Sequence, residues 1–156
     1  MSQVAVLSGY IQQKAQELTQ EYDYAMEQAQ QAKASNIDAY WIAARFGLQG
    51  FYTGLEKIFE QTARRVDSSA IGHSERWYQE LLDQMQFEVP SIRPAVISRE
   101  TYKRLKAVLA FRHVVRNNYN HALEPRLIAQ NIEELPETHQ QVLQDLQAFQ
   151  TFLENA

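Results

Sequence analysis

The chain is 156 residues long, about the size of one domain, and has no cysteine, which excludes a disulfide scaffold, a thiolate zinc site, an iron–sulfur cluster and a cysteine nucleophile. At 45% hydrophobic and 22% charged residues it has the composition of a globular protein that can bury its own core, and five glycines and four prolines are too few for a strand-and-turn fold. A net charge of −4 disfavours a protein that coats nucleic acid with its whole surface.

Helical spacing starts at once. Val4, Leu7, Ile11, Ala15, Leu18, Tyr22, Ala25, Ala29 and Ala32 recur at helical steps among Gln, Glu and Lys, which predicts a long amphipathic helix over about 2–34. The opening stretch lacks the basic region of a leader peptide, and no apolar run reaches the roughly 18 residues of a membrane span. The expectation is a cytoplasmic protein that does not engage a membrane. Ser35-Asn36 breaks the first helix, and Asn36 is expected to cap the next.

The second helix carries a stripe of Ile37, Trp41, Ala44, Leu48, Phe51, Leu55, Ile58 and Thr62, widened by Tyr40, Tyr52 and Phe59. Gly47, Gly50 and Gly54 share one face of it. Each costs about 1 kcal/mol relative to alanine inside a helix. Three on one face predict a close helix–helix approach, within the bundle or across a dimer.

Arg64 to Ser74 reads as a loop, and Ser74 is expected to cap a short helix bearing Trp77, Leu81, Leu82 and Met85. Residues 88–98 hold two prolines and form a second connection, after which Ser98 caps a helix with Tyr102, Leu105, Val108 or Leu109, and Val115 on its core side. Pro125 is expected to open a short helical turn to Leu135, and a last helix to start near Pro136 with Val142, Leu146, Phe149 and Leu153. There is no internal repeat, and no linker is long enough to hold a pair of domains apart. The fold class expected is all-α: a single domain over 1–156, an antiparallel bundle of four principal helices plus short helices.

Charge is unevenly spread. Residues 99–126 hold seven Arg or Lys against two Glu, a local +5 that leaves about −9 for the rest. Within that segment Arg112 and Arg116 stand at i, i+4, and His113, Arg116, Asn117 and Asn120 fall on one surface. Arginine offers a bidentate fork to phosphate oxygens, and histidine titrates near neutrality and can move a proton. The same residues could equally offset the dipole of a helix end. Glu56, beside Leu55 and one turn after Tyr52, needs a cationic partner, with Arg112 or Arg116 the best candidates. No two of the four histidines have HExxH spacing, so no metal or other cofactor is expected.

The run Arg116-Asn117-Asn118-Tyr119-Asn120-His121 has the R-x4-H pattern and resembles the signature of HEPN domains, all-helical modules that include many ribonuclease toxins. Phe111-Arg112-His113-Val114-Val115-Arg116 followed by Tyr119, together with Gly50-Phe51-Tyr52-Thr53-Gly54-Leu55-Glu56, is similar to the HepT-like branch. The resemblance spans about residues 35–155. It implies a metal-independent endoribonuclease toxin that works as a homodimer and pairs with a small nucleotidyltransferase antitoxin. His121 is then the base that activates a ribose 2′-OH, Arg116 holds the phosphate, and Asn117 orients the pair. Arg112, His113, Tyr119, Asn120 and Glu56 support the site or contact RNA, and the other imidazole, His113, is the alternative base. Many HepT relatives carry a tyrosine two residues after the motif histidine, where this chain has Leu123. The second reading is a non-catalytic HEPN subunit that binds nucleotide or a partner nucleotidyltransferase.

Overall fold

The computed structural model describes residues 2–72, 74–117 and 125–156, and the side chains of 114–117 lie outside that description. Among the described residues five helices follow one another: α1 (Gln3–Ser35), α2 (Asp38–Arg65), α3 (Trp77–Met85), α4 (Arg99–Asn117) and α5 (Pro125–Glu154). Among the described residues there is no strand, only an isolated bridge between Val89 and Arg93. The fold is an all-α bundle of four long helices and one short one, and no described helix is long and apolar enough to cross a membrane.

The Ser2 hydroxyl caps α1 by accepting from the Ala5 amide at 3.2 Å. At the other end Asn36 does not cap α2. It takes the left-handed conformation (φ 58°) and closes α1, donating its backbone N–H to the Ala32 carbonyl at 3.0 Å. Asparagine is one of the few residues that adopt this conformation cheaply. Ile37 stands at the N-cap of α2 without a side-chain cap and is half exposed, so the buried stripe begins later than the sequence spacing indicates.

The two-residue connection forces α1 and α2 to run antiparallel, and the glycines define how they meet. A Cβ on Gly47 would lie 2.8 Å from the Ala25 Cβ, one on Gly50 would press into the Glu21 carboxylate, and one on Gly54 would lie 2.9 Å from a Leu18 methyl. Rising numbers on α2 meet falling numbers on α1. The close approach is therefore internal to the bundle, between α1 and α2. α5 lies antiparallel to α1, with Ser8 reaching Glu154 and Thr19 reaching His139. α4 runs antiparallel to α5 in turn, with Ser98 bonded to Asp145 and Arg104 paired with Glu134 and Glu137. α3 packs on α2 and α4. One core results, to which all five helices contribute.

Of three further expectations, two fail and one holds. Ser74 does not cap α3 with its side chain: its carbonyl accepts from the Trp77 amide, and Arg76 takes the N-cap position without a side-chain bond. Ser98 does cap α4, accepting from the Thr101 amide at 3.1 Å. α5 is a single helix that passes through Pro136, where two helical segments were expected. A buried stripe of Ile128, Ile132, Leu135, Thr138 and Val142 continues on both sides of the proline, and packing holds the helix where the missing N–H would break an isolated one.

The second connection carries a buried charge that sequence reading missed. Arg93 is fully buried and its guanidinium grips Asp67 through Nε at 2.6 Å and Nη2 at 2.8 Å, and also donates to the Phe87 carbonyl. The Val96 and Ile97 amides donate to the Met85 carbonyl. These bonds fix the loop that delivers Ser98 to the start of α4.

Candidate functional site

The site begins with an acidic residue on the edge of a core stripe. Phe51, Leu55, Ile58 and Phe59 fix the buried face of α2, and Glu56 is carried inward beside them until only 9% of it stays exposed. Such a carboxylate is strongly disfavoured without a cation. Arg112 of α4 supplies it: Nη1 donates to Glu56 Oε2 at 3.1 Å, and both side chains are close to nine-tenths buried. The pairing expected for Glu56 is made by Arg112. The guanidinium also stands 5.5 Å from the centroid of the Tyr52 ring, a cation–π contact one turn before Glu56. Burial, and then the Glu56 carboxylate, pushes the Tyr52 phenol far above its ordinary range, and Arg112 offsets only a fraction of this. Tyr52 is therefore neutral at physiological pH.

Above this pair lies a crevice of about 20 Å³ lined by Glu56, Trp77, Tyr78, Leu109, Arg112 and His113, room for about one water. Its aromatic wall comes from α3. Trp77 and Tyr78 meet edge to face at 5.9 Å, and the Tyr78 hydroxyl reaches His113 Nδ1 at 3.5 Å, the long limit of a hydrogen bond. His113 is exposed on the outer side of this contact. Sequence spacing assigns Trp77 a core role and passes over Tyr78. Both rings pack against the core and remain partly exposed, whereas the adjacent aromatics Phe51 and Tyr52 of α2 are buried, and spacing alone does not separate the two cases.

The structure thus brings Glu56, Arg112 and His113 together. Arg116 and Asn117 belong to the last turn of α4, with Arg116 about 6 Å further along the axis than Arg112 at 1.5 Å per residue. Tyr119, Asn120 and His121 lie outside the described residues, as does Leu123. Among the described residues, no group of three or more His, Asp or Glu is placed to hold a metal ion. Chemically, the described portion offers a fixed cation, its counter-charge and an exposed imidazole at the approach to the end of α4.

A family model described as HepT-like protein matches residues 43–153. The matched stretch runs from the second turn of α2 almost to the end of α5 and takes in Glu56, Arg112, His113 and the whole Arg116–His121 run. Comparison with curated proteins and with solved structures found no match. A match over well more than half of the chain, on an all-helical bundle with the paired arginine on its fourth helix, makes this chain a member of the HepT-like protein family.

Proposed function

We infer that the protein is a metal-independent endoribonuclease, the toxin of a pair whose antitoxin is a small nucleotidyltransferase, acting on RNA in the cytoplasm as a homodimer. The observation that carries this reading is the buried Glu56–Arg112 pair one turn before Arg116, within the stretch matched by the HepT-like family. A pair so placed fixes the helix just upstream of the motif, and positioning is what a phosphate clamp needs. In this scheme His121 takes the proton of a ribose 2′-OH. The 2′-oxygen attacks the adjacent phosphorus, the bond to the 5′-oxygen breaks, and an imidazolium protonates that leaving oxygen. A homodimer supplies a second imidazole for the last step. Arg116 holds the phosphate and stabilises charge on its oxygens, and Asn117 orients the two. Tyr119 and Asn120 contact the RNA. The products are a 2′,3′-cyclic phosphate and a 5′-OH end. The need for a 2′-OH selects RNA over DNA.

The test is incubation of the purified dimer with total RNA in EDTA. Cleavage with cyclic-phosphate ends is expected, lowered about 10²–10⁴-fold in His121→Ala, the usual worth of a positioned acid–base group. Arg116→Lys is also expected to be damaging, because a point charge cannot reproduce the bidentate fork. A folded protein that cuts no RNA with or without metal overturns the enzyme reading and leaves the non-catalytic subunit that binds nucleotide or a nucleotidyltransferase.

A further inference from the structure

α4 carries a second stripe beside the Glu56 pair. Lys106, Leu109, Ala110 and His113 stand at i, i+3, i+4 and i+7, and the register of the helix continues that stripe through positions 116 and 117. Tyr78 and Gln79 of α3, with Arg76 at its N-cap, line the other side. The groove between them has a volume of about 420 Å³, in the range of sites that hold a small organic ligand. In a chain of net charge −4 its described lining contains no carboxylate and two exposed cations, Arg76 and Lys106. The nearby Asp83 carboxylate already accepts from the Tyr102 hydroxyl at 2.6 Å and the Gln79 amide at 2.8 Å. Lys106 Nζ is held 5.9 Å from the Tyr102 ring. Tyr78 is half-buried and braced by Trp77, so the groove has a flat, fixed aromatic wall. Tyr78, Leu109 and His113 line both this groove and the crevice above Arg112.

The geometry points to a subsite for one nucleotide of single-stranded RNA, its phosphate held by Arg76 and Lys106 and its base packed on Tyr78. The subsite flanks the scissile position, and the proposal rests on the ribonuclease reading. Cations at the mouth and an aromatic wall inside are the two elements by which proteins hold single strands, and a base still paired in a duplex cannot reach such a wall. The distance from Lys106 to Arg116 along α4 is about 15 Å, the reach of a few nucleotides, so one strand can engage both ends of the stripe. An acidic peptide would use the two cations and leave the aromatic wall without a role.

The test is binding of a fluorescein-labelled 2′-O-methyl oligouridylate, which cannot be cut, followed by anisotropy across a salt series. The double variant Arg76→Gln/Lys106→Gln is expected to bind about tenfold more weakly, with a salt slope smaller by about 0.7 because one phosphate is no longer neutralised. Tyr78→Leu is expected to weaken binding about tenfold and Tyr78→Phe to stay within about twofold, since stacking needs the ring and not the hydroxyl. On cleavable RNA the double variant raises KM and keeps kcat. Its substitutions are at exposed positions and its melting curve should overlay that of the parent. If the parent binds and cuts RNA but the double variant binds within about twofold at an unchanged salt slope, the subsite is overturned and the ribonuclease reading stands. If the parent neither binds nor cuts RNA, both fall. If polyglutamate binds in place of the oligonucleotide and the double variant no longer takes it, the groove belongs to an acidic protein and the proposal is overturned.

Discussion

Glu56 and Arg112 stand 56 residues apart in the chain, yet their separation is fixed to a hydrogen bond. Glu56→Gln keeps the shape and removes the charge, leaving Arg112 facing a neutral amide. Breaking a fully buried pair costs about 3–5 kcal/mol, and the solvent access that remains here reduces the expected loss to about 2–3 kcal/mol. The loss should appear as a lower denaturant midpoint at unchanged m-value. An unchanged midpoint would mean that the pair contributes nothing to the fold. A second residue reports on pH. The His139 ring stacks on Tyr22 at 4.1 Å and 6°, meets Phe51 edge-on, and contacts the Thr19 hydroxyl at 3.0 Å. Burial holds its pKa below the ordinary 6.5, and the Asp23 charge only partly opposes this. The unfolded chain then binds the proton more readily than the folded one. Stability is full above pH 6.5 and falls as pH drops below it, toward the lower folded-state value. Chemical denaturation between pH 5 and pH 8 should show this slope, and His139→Gln should flatten it.

At the scale of elements, the glycine face of α2 separates space that is needed from space that is merely empty. Alanine at Gly47 meets the Ala25 Cβ at 2.8 Å and its Cα at 3.0 Å, so the α1 backbone itself must move. Overpacking of this kind costs about 1–3 kcal/mol, more than the roughly 1 kcal/mol of helix propensity gained. Alanine at Gly50 meets only the carboxylate end of Glu21, which can swing away. Gly47→Ala should therefore melt lower than the parent, and Gly50→Ala equal to it or higher. Equal losses in both variants would show that the spacing of the two helices is uniform along the face. The close approach was legible because glycines repeated at helical spacing. The long helices were legible for the same reason. Caps were less so: of Asn36, Ser74 and Ser98, all good capping residues by composition, Ser98 alone caps the helix expected of it, and a left-handed residue was needed at 36 to end α1. Pro136 misled because its local effect on a helix is strong, while the stripe that overrides it is visible only across both sides.

At the scale of the molecule, family membership and folding do not share a boundary. The HepT-like match begins at residue 43, but Leu7, Ile11, Leu18, Ala25 and Ala29 of α1 are core residues, packed on α2 and α5. A chain shortened to 36–156 keeps the whole match and uncovers the glycine face. It is expected to lose its cooperative thermal transition and to bind a hydrophobic dye, and a sharp transition near the parent's would show that α1 is dispensable. The all-α bundle could be read from helical periodicity. Half of the candidate site could be read as well, since a carboxylate on an apolar stripe demands an arginine. The Arg93–Asp67 grip could not, because two residues 26 apart in irregular segments leave no period to detect.

Pro136 divides α5 in time as well as along its length. It has no N–H to give the Ile132 carbonyl, so the hydrogen-bond ladder is interrupted there, with ion pairs to Arg104 of α4 on both sides of the break (Glu134 and Glu137) and the locks to α1 through His139 and Glu154 beyond it. Cooperative opening spreads poorly across such a break. Amides of 126–135 should exchange with deuterium through a partial opening, while those of 142–153 wait for the whole bundle to unfold. Uniform protection along α5 would show the two halves to be one unit. With two units, residues 126–135 can open on a timescale that leaves the rest of the bundle closed.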